Sequence, residues 1–160
     1  MQIDAVIKLL VLLTMANGTP VIAKRLLGKW LSAPIDCGVR LSDDRPLFGP
    51  SKTLRGIALS IIATTLTAPA LGLTWKIGLF AGPMAGDLAS SFAKRRMALP
   101  SSSRALGLEQ IPEALLPAVV CKSLLALALA DVVLTVVLFT VGEIILSRAL
   151  FKLHVRDQPY

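Results

Sequence analysis

The stretch from Pro112 to Phe151 is about 40 residues of apolar sequence broken by only a few charges. As one helix it would be near 60 Å long, about twice the hydrocarbon thickness of a bilayer. It reads instead as two spans, 112–130 and 132–151, with a tight turn near Asp131. Three apolar blocks precede it, at 3–27, 56–73 and 77–92. A span takes about 20 apolar residues, so five use roughly 100 and leave no room for a large extramembrane domain. A composition of 54% hydrophobic and 17% charged residues argues against a water-soluble core and against disorder. The expected fold is an all-α integral membrane protein, a single polytopic domain over residues 1–160 with five transmembrane helices.

Charge orients these spans. Lys24, Arg25, Lys29, Arg40, Arg45, Lys52 and Arg55 flank or fill the polar loop 28–55. Lys94, Arg95, Arg96 and Arg104 fill the loop 93–111, and Arg148, Lys152 and Arg156 follow the last span. The opposite side carries Asp4, Lys8, Lys76 and Asp131. The positive-inside rule then puts the N-terminus outside, and both loops and the C-terminus in the cytoplasm. That is a multi-pass protein of the cell membrane. The net charge of +7 reflects this orientation and anionic ligands or lipids. With 5% aromatics and no aromatic-interleaved basic patch, nucleic acid is not an expected partner.

Several local features interrupt the apolar pattern. Asn17-Gly18-Thr19-Pro20 lies inside the first span and predicts a kinked or broken helix, whose freed backbone groups need partners. Gly78, Gly82 and Gly86 recur every four residues, a stripe on which another helix packs closely. Lys122 and Glu143 fall inside the last two spans and are expected at similar depth as a structural ion pair.

Chemistry concentrates in two places. The first polar loop ends Gly49-Pro50-Ser51-Lys52-Thr53-Leu54-Arg55-Gly56, where lysine, arginine and the start of a helix meet. Arg offers a forked donor to phosphate, Lys a point charge, and helix-start amides face any anion bound there. Alone, this is also what a loop touching lipid head groups looks like. The third span ends Gly86-Asp87, then Ser91, Lys94, Arg95 and Arg96. At helical spacing Asp87, Ser91 and Lys94 or Arg95 share a face. A carboxylate that near the apolar interior pairs with a nearby arginine or serves function, and above a cationic cluster it can hold Mg²⁺ carrying phosphates. The single histidine, His154, leaves no support for a zinc site or a Ser-His-Asp triad, and there is no phosphate loop of the Walker type. Cys37 and Cys121 are expected to be free thiols.

Taken together, these residues resemble the CDP-archaeol synthase family, membrane cytidylyltransferases related to phosphatidate cytidylyltransferases. The matching pieces, in order, begin with Asn17-Gly18-Thr19-Pro20 and Asp43-Asp44-Arg45 with Leu47 through Gly56. Gly86-Asp87 with Ser91 through Arg96, and the ending Val155-Arg156-Asp157-Gln158-Pro159-Tyr160, complete them. Ser51, Leu54 and Glu109 stand where the family commonly has Gly, Trp and Asp.

The resemblance implies transfer of CMP from CTP to a membrane lipid phosphate, giving a CDP-lipid and pyrophosphate in phospholipid biosynthesis. The lipid is an archaeal-type digeranylgeranylglycerol phosphate or a phosphatidate-like one. It also implies Mg²⁺ as cofactor, with Asp87 the leading ligand and Asp43 and Glu109 further candidates. Lys52 and Lys94 join Asp87 as catalytic residues. Arg55, Arg45, Thr53, Arg95, Arg96, Ser91 and Asn17 would bind nucleotide and lipid phosphate. The alternatives are a non-enzymatic lipid-binding or transport protein and a structural assembly subunit.

Overall fold

The computed structural model describes residues 1–81, 85–99 and 109–152. Gly82, Arg104, His154 and the Val155–Tyr160 ending lie outside them. Among the described residues the chain is helical, with no strand. It comprises α1 (Ile3–Leu27), α2 (Leu54–Ala70), α3 (Trp75–Ala81), α4 (Ala85–Arg96), α5 (Gln110–Cys121) and α6 (Leu129–Lys152). Only two isolated bridges, Pro34 with Thr53 and Arg40 with Pro46, brace the loop between α1 and α2.

A kinked or broken helix is expected at residues 17–20; the first helix is continuous there, so it is not broken. Pro20 has no N–H for the Ala16 carbonyl one turn back. That carbonyl instead accepts the Ser60 hydroxyl of α2 at 2.6 Å, in a fully buried setting. The Pro20 ring also lies against Gly56, where a Cβ would sit 3.3 Å from the proline Cβ. The start of α2 thus docks where α1 is weakest. Thr53 caps α2 in an extended conformation, its Oγ1 accepting the Gly56 N–H at 3.2 Å. Further along, the Thr64 hydroxyl donates to the Ser60 carbonyl at 2.8 Å, so this buried polar stripe is satisfied within the bundle.

The third apolar block carries α3 and α4 on either side of residues 82–84, which lie outside the described residues. The glycine stripe accordingly serves two neighbours. A Cβ on Gly78 would overlap the Thr64 carbonyl of α2, and one on Gly86 would overlap the Pro112 carbonyl of α5.

The last two helices are separated by residues 122–128, ahead of the turn expected near Asp131. Asp131 lies in the first turn of α6, and its Oδ2 accepts the Ala128 N–H at 3.0 Å. Its Oδ1 accepts the Gln2 N–H at 3.0 Å, while the Gln2 amide donates to the Ala126 carbonyl at 3.0 Å. Lys122 is exposed at the C-cap of α5. Glu143 instead lies in a cleft with Glu113, which is nine residues, or about 13 Å, along α5 from Lys122. The expected Lys122–Glu143 pair is therefore not formed.

One core binds the bundle. Leu9, Leu12 and Leu13 of α1 pack with Ala68, Ile77, Ala81, Ala114, Ala118, Val132 and Phe139 from the other helices. Outward, Val133, Val137, Val141 and Ile145 recur every four residues on α6 and are exposed, as are Ile3, Ile7 and Val11 on α1. Faces so apolar suit lipid rather than water. The helix α1 and residues Leu129–Ala149 of α6 are long and apolar enough to cross a membrane, and α2 and α5 are shorter apolar helices.

Gly86→Ala is expected to destabilise the protein by about 1–3 kcal/mol, because backbone on α5 cannot give way as a side chain could. Gly18→Ala, with nothing within 4 Å of its Cβ position, should hold or slightly raise the melting temperature. Melting curves of both variants in detergent check this, and equal behaviour would contradict the close α4–α5 approach.

Candidate active site

The loop between α1 and α2 is organised by Asp36, which is 6% exposed. Its carboxylate accepts the N–H groups of Gly38 at 3.1 Å and of Phe48 and Gly49 at 2.9 Å. Burial pushes this acid upward, but these backbone donors outweigh it and hold its pKa below the usual carboxylate range. Ile35 donates to the Lys52 carbonyl at 2.8 Å and Leu54 to the Ala33 carbonyl at 3.1 Å, which pins the backbone on both sides of Lys52 and Thr53.

From that platform the Lys52 ammonium reaches across to α4 and pairs with both carboxylate oxygens of Asp87. Asp87 is 6% exposed. Its partner is thus a loop lysine rather than a neighbouring arginine. On α4, Gly86, Asp87, Ser90, Ser91, Lys94 and Arg95 are all buried, so the face expected from their spacing turns inward. Lys94 pairs with Glu109, at the N-cap of α5.

A cleft of about 180 Å³ opens at the Lys52–Asp87 pair. Asn17, Lys52, Thr53, Asp87, Glu113 and Glu143 line it, so α1, α2 with its preceding loop, α4, α5 and α6 all contribute. Glu113 shares the cleft with Asp87, and Asn17 Nδ2 donates to Glu113 Oε2 at 3.4 Å. A line of polar groups therefore runs from α1 through α5 to α4 and the loop.

Other expected site residues do not line this cleft. Arg55 donates to the carbonyls of Gly28, at 3.2 Å, and Trp30, closing the chain reversal after α1. Arg96 binds Asp43 Oδ1 at 2.6 Å and the Pro46 carbonyl at 2.8 Å, and lies over the Phe92 ring. Arg45 returns a bond to the Arg96 carbonyl at 2.6 Å. These two arginines fasten the loop to the end of α4. Asp43 and Glu109 are thus held by Arg96 and Lys94, away from Asp87's cleft. Among the described residues no three Cys, His, Asp or Glu side chains form a metal-binding group.

The main residue missed in the sequence is Glu113. Its signal was present: it stands four residues after Glu109, one turn into an apolar helix. Glu143 was assigned to Lys122 because both were counted from the turn, and the turn falls earlier than expected.

The model of the CarS-like CDP-archaeol synthase family matches residues 70–160. The CDP-archaeol synthase of Pyrobaculum calidifontis is 35% identical over 91% of this chain and 90% of its own length. The chain belongs to the CDP-archaeol synthase family. The enzyme of that name from Thermofilum pendens is 30% identical, over 91% of this chain and 75% of its own. A solved structure described as an intramembrane enzyme for archaeal membrane lipids biosynthesis superposes with a TM-score of 0.67 and 30% identity. It covers 86% of this chain and 89% of that one. Family and apolar helices together make this a membrane protein.

Because its folded pKa is depressed, Asp36 contributes stability that is present above the ordinary aspartate value of about 3.9 and lost as pH falls through the folded value. Asp36→Asn should therefore unfold more readily than the unaltered protein at pH 7, with the gap narrowing below about pH 4. Denaturant titrations at pH 7, 5 and 3.5 read this difference, and a gap constant with pH would refute it.

Proposed function

We infer that this cleft is where CMP passes from CTP to an archaeal lipid phosphate, giving a CDP-lipid and pyrophosphate. The chain is a CTP-dependent cytidylyltransferase of membrane lipid synthesis, as its family membership establishes. The observation that carries the site assignment is the Lys52–Asp87 pair, formed between separate elements at a polar cleft inside an apolar bundle.

The chemistry asks little of the protein in covalent terms. A phosphate oxygen of the lipid attacks the α-phosphorus of CTP, a new P–O–P bridge forms, and the α–β anhydride bond breaks to release pyrophosphate. The lipid phosphate is already an anionic nucleophile, so no activated serine or cysteine is needed. The barrier lies in bringing two anions together, which fixed cations and positioning overcome. Lys52 supplies a charge inside the cleft, beside the positive N-terminal end of α2. Lys94 and Arg95 are buried on the face of α4 that carries Ser91 and Asp87, Lys94 paired with Glu109, and would add positive charge near the phosphates on exchanging those partners. Asn17 holds Glu113 in place beside Asp87.

The reaction suits Mg²⁺, and the residues present fit it. Mg²⁺ takes one or two carboxylates and completes its shell with phosphate oxygens and water. Asp87 and Glu113 offer such oxygens in one open cleft; Asp87 would exchange its Lys52 partner for the ion, as Asp43 and Glu109 would have to exchange Arg96 and Lys94, but those two lie outside the cleft. Held by Asp87 and Glu113, such an ion would supply positive charge to offset that of the phosphates.

The five-span topology, with loops and active cleft facing the cytoplasm, is supported by the contacts at the two ends of the bundle. Arg45 and Asp43 meet Arg96, so the first loop and the end of α4 share one face. Gln2 meets Ala126 and Asp131, so the chain's start and the α5–α6 turn share the other. The face with the loops is the one rich in Lys and Arg.

Purified protein given labelled CTP, Mg²⁺ and a digeranylgeranylglycerol phosphate should form a CDP-lipid. Asp87→Asn is expected to lower the rate at least about 100-fold while the protein stays folded, the scale of losing one preorganised charge. Full activity in a folded Asp87→Asn protein would remove this residue from the chemistry.

A further inference from the structure

A second cavity, of about 270 Å³, lies between α1 and α6. It shares Asn17, Val21 and Glu143 with the polar cleft, so the two adjoin there. Away from that junction its walls turn apolar: Leu10 on α1 faces Leu138 and Phe139 on α6. On α1 the groove runs from Leu10 to Val21, about 16 Å along the helix axis.

The walls are opened by two glycines. Gly18 on α1 and Gly142 on α6 both line the groove, and a Cβ built on either would meet nothing within 4 Å. They contrast with Gly78 and Gly86, whose missing side chains let backbones touch. A glycine inside a helix costs roughly 0.5–1 kcal/mol relative to alanine, and here no close approach between helices accounts for it. What the two glycines provide is width.

We propose that the α1–α6 groove holds a hydrocarbon chain of the lipid phosphate, with Gly18 and Gly142 setting the width it admits. This rests on the cytidylyltransferase reading above. The occupant follows from adjacency and polarity. Asn17, Val21 and Glu143 border both the groove and the cleft where the phosphate reacts, and from them the groove runs past Thr14 to Leu10, Leu138 and Phe139, toward the starts of α1 and α6. A head group in the cleft and a chain in the groove belong to one amphipathic molecule. A chain carrying methyl branches needs more width than a straight one, so these positions determine substrate specificity.

Gly18→Leu and Gly142→Leu each place a side chain into the open groove without touching the cleft. The expected result is a fall of at least tenfold in the ratio of kcat/KM for a long isoprenoid lipid phosphate to that for a short-chain phosphate. CTP affinity should stay within about twofold, which also shows that the variants are folded. The graded variants Gly18→Ala and Gly142→Ala should shift the ratio in the same direction by less. In the unaltered protein, a lipid phosphate with a photoreactive group midway along its chain should label the segments 10–21 and 138–147. An active protein whose long-to-short ratio is untouched by either leucine, or whose label falls elsewhere, overturns the groove assignment alone. A protein that transfers CMP to no lipid phosphate overturns the cytidylyltransferase reading and the groove with it.

Discussion

Two charges are held where an apolar bundle can least tolerate them, and they are held by each other. Taking Asp87 and Lys52 out of water carries a desolvation penalty of several kcal/mol per ion, which only close pairing offsets. The pair therefore ties the loop after α1 to α4 as firmly as any apolar contact. Removing one partner would leave the other buried and unmatched, and that is more damaging than never having buried either. The rest of the polar architecture serves this junction. Asp36 sets the loop so that Lys52 points inward, Arg55 anchors its beginning, and Arg96 clamps its middle to α4.

The same rule governs the neutral polar groups. Inside an apolar environment each free backbone carbonyl must find a donor within the protein. Pro20 frees the Ala16 carbonyl, and Ser60 on α2 answers it. The helix that carries Asn17 is thereby continuous through Pro20, and Asn17 reaches Glu113. Proline, serine and asparagine on two helices thus form one device, and its product is a polar side chain aimed into the cleft.

Much of this was legible in the sequence. The apolar blocks foretold the helices, and the spacing of Asp87, Ser91, Lys94 and Arg95 foretold a shared inward face, because helical periodicity is a local property. Lys52 and Asp87 were marked as functional from their chemistry, and the fold brings them into contact across 35 positions of chain. What escaped was decided at long range. The continuity of α1 depends on a hydroxyl 44 residues away. The bonds of the Arg55 guanidinium to carbonyls some 25 residues earlier likewise have no local signal in the sequence. Glu113 sits in a segment that reads as plain membrane helix, and only the position of α4 against α5 reveals what it touches.

The clip between Gln2, Ala126 and Asp131 bears on how α1 and α6 can move. Both bonds from Gln2 act at one end of the pair, near the start of each helix. Sliding one helix along the other by a single residue, about 1.5 Å, would stretch both bonds beyond useful length. Opening the far ends by rotation about the clip would leave them intact. The clip therefore opposes sliding of the two helices more than it opposes an angular opening, which is widest at the end where the chemistry lies.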